Sequence, residues 1–72
     1  MDIAQAFGKN VKRLREQRNW SQEQLAERSG LHRTYISGIE RGARNPTILI
    51  AAKLAQALNV HPADLFVGEQ KK

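Results

Sequence analysis

The stretch NWSQEQLAERSGLHRTYISGIERG, residues 19 to 42, limits the fold more than any other, because it carries two helix starts and two glycine stops in quick succession. Ser21 can accept from the backbone N–H of Gln24 while the Gln24 side chain reaches back, which is a capping box. Trp20 and Leu25 hold the N′ and N4 positions of a hydrophobic staple around it. A helix is therefore predicted to begin at Gln22. Gly30 follows as its C′ residue, where a left-handed turn costs glycine little, so the helix has about eight residues. A second staple pair, Leu31 and Ile36, brackets His32 as the next cap. Ile36, Ile39 and Glu40 mark the inward side of that helix, and Gly42 ends it.

Two helices of about eight residues, separated by a three-residue turn containing glycine, match the helix-turn-helix geometry, here placed at residues 21 to 41. So short a turn fixes the angle between them. Upstream, Ile3, Phe7, Val11 and Leu14 form one stripe, predicting an amphipathic first helix over 3 to 18. Its other faces carry Lys9, Lys12, Arg13, Glu16 and Arg18. Downstream, Asn45-Pro46 disfavours helix before it and Thr47 can cap the next helix. Residues 48 to 58 then read as that fourth helix, with Ile48, Ala51, Leu54, Ala55 and Leu58 on one face. Pro62 at N1 and Asp64 at N3 predict a short fifth helix that closes the core with Leu65 and Phe66. Residues 68 to 72, GEQKK, read as a frayed tail. The expectation is an all-α, compact five-helix bundle: one domain over 1 to 72, with its core from about 7 to 66.

With 72 residues there is room for one small core. The absence of cysteine removes disulfides, thiolate nucleophiles and cysteine zinc sites. His32 and His61 are too few for a metal site, and no cofactor or small-molecule ligand is expected. No signal peptide and no apolar run of membrane-spanning length is visible, so a soluble, cytoplasmic protein without a membrane partner is expected. Enzyme chemistry finds no paired carboxylates and no nucleophile with its base. Ser21 and His61, the one tempting pair, are both explained as helix starts. Twelve Lys and Arg against seven Asp and Glu give a formal charge of +5. That excess favours a polyanionic partner, but only its placement can decide.

The placement points at the helix that opens with Arg33. First-turn side chains project forward from a helix end, so they reach the floor of any groove the helix enters. The major groove of B-DNA admits one helix. Arg33 can pair with guanine O6 and N7, Thr34 can meet a base edge or a thymine methyl, and Ser37 follows one turn on. Tyr35 either packs under the turn or lies outward against the duplex. Gly38 either lets the backbone approach DNA closely or is an incidental surface position. Gln22, with Ser21 beside it at the preceding helix start, suits a phosphate contact aided by free backbone N–H groups. Arg41, Arg44 and Asn45 suit backbone contacts after the recognition helix, and His32 is a cap within reach of DNA. Double-stranded DNA is the expected partner.

The string SQEQLAERSGLHRTYISGIERGARNPT strongly resembles the Xre/Cro-type helix-turn-helix family of phage repressors and bacterial regulators, over roughly Phe7 to Phe66. Within it, HRTYISGIERG looks most like the controller proteins of restriction-modification systems. The resemblance implies a lambda-repressor-like bundle binding a roughly palindromic operator as a homodimer. It assigns Gln22 to phosphate, Arg33, Thr34 and Ser37 to bases, and the Arg41–Asn45 segment to the DNA backbone. It also implies a buried ion pair between Arg15 and Glu40, which agrees with their places beside Leu14 and Ile39 on the two apolar stripes.

One departure from the family pattern is apolar. Leu49 and Ile50 lie off the stripe of the fourth helix, which suggests a self-association surface or merely two exposed aliphatics; Phe66 and Val67 compete as dimer contacts. Seventy-two residues hold no effector domain, so repression is expected from blocking polymerase and activation from touching it. The rival readings are an antitoxin, betrayed by a co-purifying toxin, and a protein-interaction module that binds no DNA.

Overall fold

The computed structural model describes residues 2 to 67, and the tail expected to fray lies outside them. Four α-helices follow in order, α1 (Ile3–Gln17), α2 (Gln22–Ser29), α3 (Arg33–Glu40) and α4 (Ile48–Leu58), and no strand occurs among the described residues. The fifth element is a single 3-10 turn, Pro62–Leu65, so the expected five-helix bundle is corrected to four helices and a turn. Pro62 starts it and the Asp64 carboxylate accepts from the backbone N–H of His61 at 3.2 Å, but Leu65 already ends it.

The helix starts follow their local chemistry. Asp2 accepts from the Ala4 N–H at 3.0 Å, Ser21 from Gln24 at 3.0 Å, and Thr47 from Ile50 at 3.1 Å. Gln24 returns the bond to the Ser21 N–H at 2.8 Å, completing the capping box. Gly30 sits at φ 77° and ψ 17°, the left-handed geometry in which glycine carries no Cβ penalty. His32 occupies the N-cap position of α3 without a side-chain capping bond.

Phe7, Val11, Leu25, Ile36, Ile39, Leu54, Leu58 and Leu65 form the fully buried centre. α1 packs on α3, on α4 and on the C-terminal turn, while α2 packs on α3 and α4. The crossing of α1 and α3 depends on Gly8, which is buried: a Cβ built there would collide with the carbonyl oxygen of Ile39 and stand 3.0 Å from that of Glu40. Two polar side chains of α1 and its C-cap secure the C-terminal segment and the end of α4. Asn10 donates to the carbonyls of Leu65 and Val67 at 2.9 and 2.8 Å, and Arg18 donates to that of Leu58 at 2.6 Å.

Three apolar expectations need correction. Ile48, expected on the buried face of α4, is 90% exposed, and Ile3 is exposed too. Both are the first residue of their helix, and because Cβ atoms tilt toward the N-terminus their side chains lean off the end, where nothing packs. Phe66 does not close the core: its ring meets that of Phe7 at 4.9 Å between centroids, yet the residue is 44% exposed because the turn has already ended.

Candidate nucleic-acid interface

The starts of α2 and α3 face a common open hollow of about 570 Å³, walled by Arg15, Ser21, Gln22, Glu23 and Arg33. Arg33 and Thr34 are exposed at the leading end of α3, and Ser21 and His32 are exposed beside them. The tight turn through Gly30 produces this arrangement, since both the Gly30 and Leu31 N–H groups close onto the Ala26 carbonyl, at 2.9 and 3.1 Å. The chain then re-enters helix within two residues.

Behind this edge lies a charged cluster. Arg15 Nε donates to Glu40 Oε2 at 2.6 Å and Arg15 Nη2 to Glu40 Oε1 at 3.0 Å, a two-pronged pair between α1 and α3. Arg15 Nη1 also donates to the Trp20 carbonyl at 2.7 Å. Its hydrogen bond to Glu40, opposed by burial and assisted by the charges of Glu40 and Glu16, holds the Arg15 guanidinium above its ordinary value. Gln22 is drawn into the same cluster, its Nε2 donating to Glu40 Oε1 at 3.0 Å. The amide expected at a phosphate is thus anchored at its tip.

The trailing cations do not hang in the loop. Arg41 Nη1 donates to Ser37 Oγ at 2.6 Å, so two expected contact residues occupy each other. Arg44 folds back over α3, with its guanidinium carbon 5.0 Å from the centre of the Tyr35 ring. That position resolves Gly38. The glycine is buried, and a Cβ there would meet Arg44 Cδ and Nε at 2.9 Å. The space expected for close DNA approach is filled by an arginine side chain. Tyr35 is half-buried, packed on the core while carrying Arg44, and so satisfies neither the wholly inward nor the wholly outward alternative. Asn45 is exposed.

Of the expected dimer contacts, Ile50 is half-buried against the core, so it does not lie wholly off the apolar stripe of α4. Leu49 is 62% exposed and Val67 41%. Gly8, Asn10 and Gln22's bond to Glu40 escaped sequence reasoning. The one available signal was Gly8 itself, a glycine within a helical pattern where it costs about 1 kcal/mol against alanine.

The comparisons with known proteins identify the family and the fold. Residues 11–65 match the helix-turn-helix family HTH_3. Control protein C.SmaI of Serratia marcescens is 54% identical over 72 residues, covering 100% of this chain and 86% of that protein. The restriction-modification controller C.AhdI of Aeromonas hydrophila superposes with a TM-score of 0.84 at 44% identity, over 88% of this chain and 96% of that one. The controller C.Esp1396I, solved as a tetramer in complex with its natural 35 base-pair operator, superposes with a TM-score of 0.82 at 36% identity, over 92% of this chain and 87% of that one. The chain belongs to the Xre-type helix-turn-helix family HTH_3, and restriction-modification control proteins are among its close relatives.

Proposed function

We propose that this protein is a sequence-specific DNA-binding regulator of transcription that acts as a homodimer on a roughly palindromic operator, in the manner of a restriction-modification controller. The observation that carries the reading is the exposed leading end of α3, where Arg33 and Thr34 stand clear beside the start of α2. Relatives named as control proteins, and a structural neighbour solved on its operator, support it. Arg33 and Thr34 read base edges, and Ser37 and Tyr35 add to this when Arg41 and Arg44 turn from them toward DNA. Gln22, Ser21, His32, Arg41, Arg44 and Asn45 hold phosphates and set the register.

Leu49, Phe66 and Val67 provide apolar surface for the second copy. In such a dimer the two reading heads lie one turn of duplex apart, about 34–36 Å, or a multiple of that. The protein acts in the cytoplasm without enzymatic chemistry, repressing by blocking polymerase or activating by touching it. Selection of bound duplexes from a random oligonucleotide pool tests the reading. A two-fold symmetric consensus is expected; recovery of no enriched sequence at low salt overturns it.

A further inference from the structure

We infer that Glu40, beyond pairing with Arg15, is a positioning residue for DNA binding, because it locks the side-chain amide of Gln22 in one orientation at the start of α2. The inference rests on the DNA-binding reading above and deepens it. Gln22 Nε2 lies 3.0 Å from Glu40 Oε1, an atom that also accepts from Arg15 Nη2 at 3.0 Å, while Oε2 accepts from Arg15 Nε at 2.6 Å. With both of its oxygens accepting from Arg15, Glu40 offers Gln22 an acceptor and no donor. Gln22 must therefore turn its NH2 group, not its carbonyl, toward Glu40. One amide hydrogen is used; the other remains on the edge of the hollow that Gln22 shares with Ser21, Glu23 and Arg33.

A phosphate oxygen, like a carboxylate, only accepts. It takes a hydrogen bond from Gln22 when the NH2 group faces it and is repelled when the carbonyl does. A free glutamine samples both faces of its amide and loses side-chain entropy on binding, whereas this one is already ordered. Arg15 keeps the arrangement compatible with a polyanion, since its positive charge offsets that of Glu40 next to the DNA. The ion pair of the core thus has a branch that ends on the binding edge.

A double-mutant cycle tests the idea, with a duplex selected by the parent protein as probe and a scrambled duplex as control. Affinities of the parent, Glu40→Gln, Gln22→Ala and the double variant are measured by fluorescence anisotropy and referred to the folded fraction from denaturant melts. Both single variants are expected to weaken the selected duplex about ten- to a hundredfold, the size of one hydrogen bond to a charged group. The double variant is expected to bind no more weakly than Gln22→Ala alone, because Glu40 acts through Gln22. Additive losses, or a Glu40→Gln protein with lowered stability but unchanged affinity per folded molecule, overturn the inference. Because Glu40→Gln leaves Arg15 unpaired and can prevent folding, the parent protein gives an independent measurement by side-chain 15N relaxation. A Gln22 NH2 group more ordered than that of the exposed Gln56 is expected; equal mobility overturns the inference. A parent that selects no duplex defeats the DNA-binding reading instead, and the relaxation measurement still decides whether Glu40 holds Gln22.

Discussion

Replacing Gly8 by alanine sets two physical effects against each other, and the structure decides the sign. Alanine in a helix interior is favoured over glycine by about 1 kcal/mol, so helix propensity alone predicts a more stable protein. The structure predicts the reverse. The new methyl group collides with the backbone carbonyl of Ile39 and reaches that of Glu40, and both belong to the last turn of α3, which cannot rotate aside as a side chain would. Helices α1 and α3 must separate, loosening the core that Phe7 and Ile39 share and stretching Arg15 from Glu40. Overpacking of this kind costs about 3 kcal/mol at the upper end of its usual range. The regained propensity leaves a net loss of about 2 kcal/mol, and in a domain of this size each kcal/mol moves the melting temperature by about 4–8 °C. Thermal unfolding followed by far-UV circular dichroism should show Gly8→Ala melting about 8–16 °C below the parent. An unchanged or raised melting temperature would refute the close-approach argument.

Gly38→Ala is the matched control, because the atoms its Cβ meets are the flexible end of Arg44; stability should change by less than about 1 kcal/mol, and a loss above about 2 kcal/mol would mean that Arg44 is rigidly seated. Glu40→Ala leaves the buried Arg15 guanidinium unpaired and should cost about 3–5 kcal/mol in denaturant unfolding, whereas a melting shift of only a degree or two would contradict a structural pair. The Arg15 side of that pair, whose guanidinium is held above its ordinary value by its hydrogen bond to Glu40, contributes fully below the ordinary value and is lost only as pH rises through the raised one. If the proposed homodimer forms through this surface, Leu49→Asp combined with Phe66→Asp should sediment as a monomer at concentrations where the parent sediments as a dimer; a variant that stays dimeric places the interface elsewhere.

Features decided within one turn of chain were legible in the sequence. The Ser21–Gln24 box, the stop at Gly30 and the Thr47 cap each need only residues within a few positions of one another, and the helix limits followed from them. The stripes were legible in phase but not at their ends. Ile3 and Ile48 fit the periodicity yet face solvent, because a pattern along one helix does not say where its neighbours stop. The short fifth element was located by Pro62 and Asp64, whereas its 3-10 geometry was not, and because the turn ends at Leu65, Phe66 is left exposed. The binding edge divides similarly. The exposed position of Arg33 and Thr34 at the start of α3 follows from local signals. Gly38 beneath Arg44 and Gln22 on Glu40 join residues of different elements, and no spacing encodes such contacts.

Operator reading rests on α3 entering the duplex by its leading end. Amide chemical-shift mapping of the 15N-labelled protein, titrated with its selected duplex, tests this most directly. The largest shifts should fall at Gln22, Arg33, Thr34 and Ser37, and Arg33→Ala should abolish the preference for the selected over the scrambled duplex. Shifts gathered on α4 and the Phe66 turn, with that preference intact in Arg33→Ala, would contradict it.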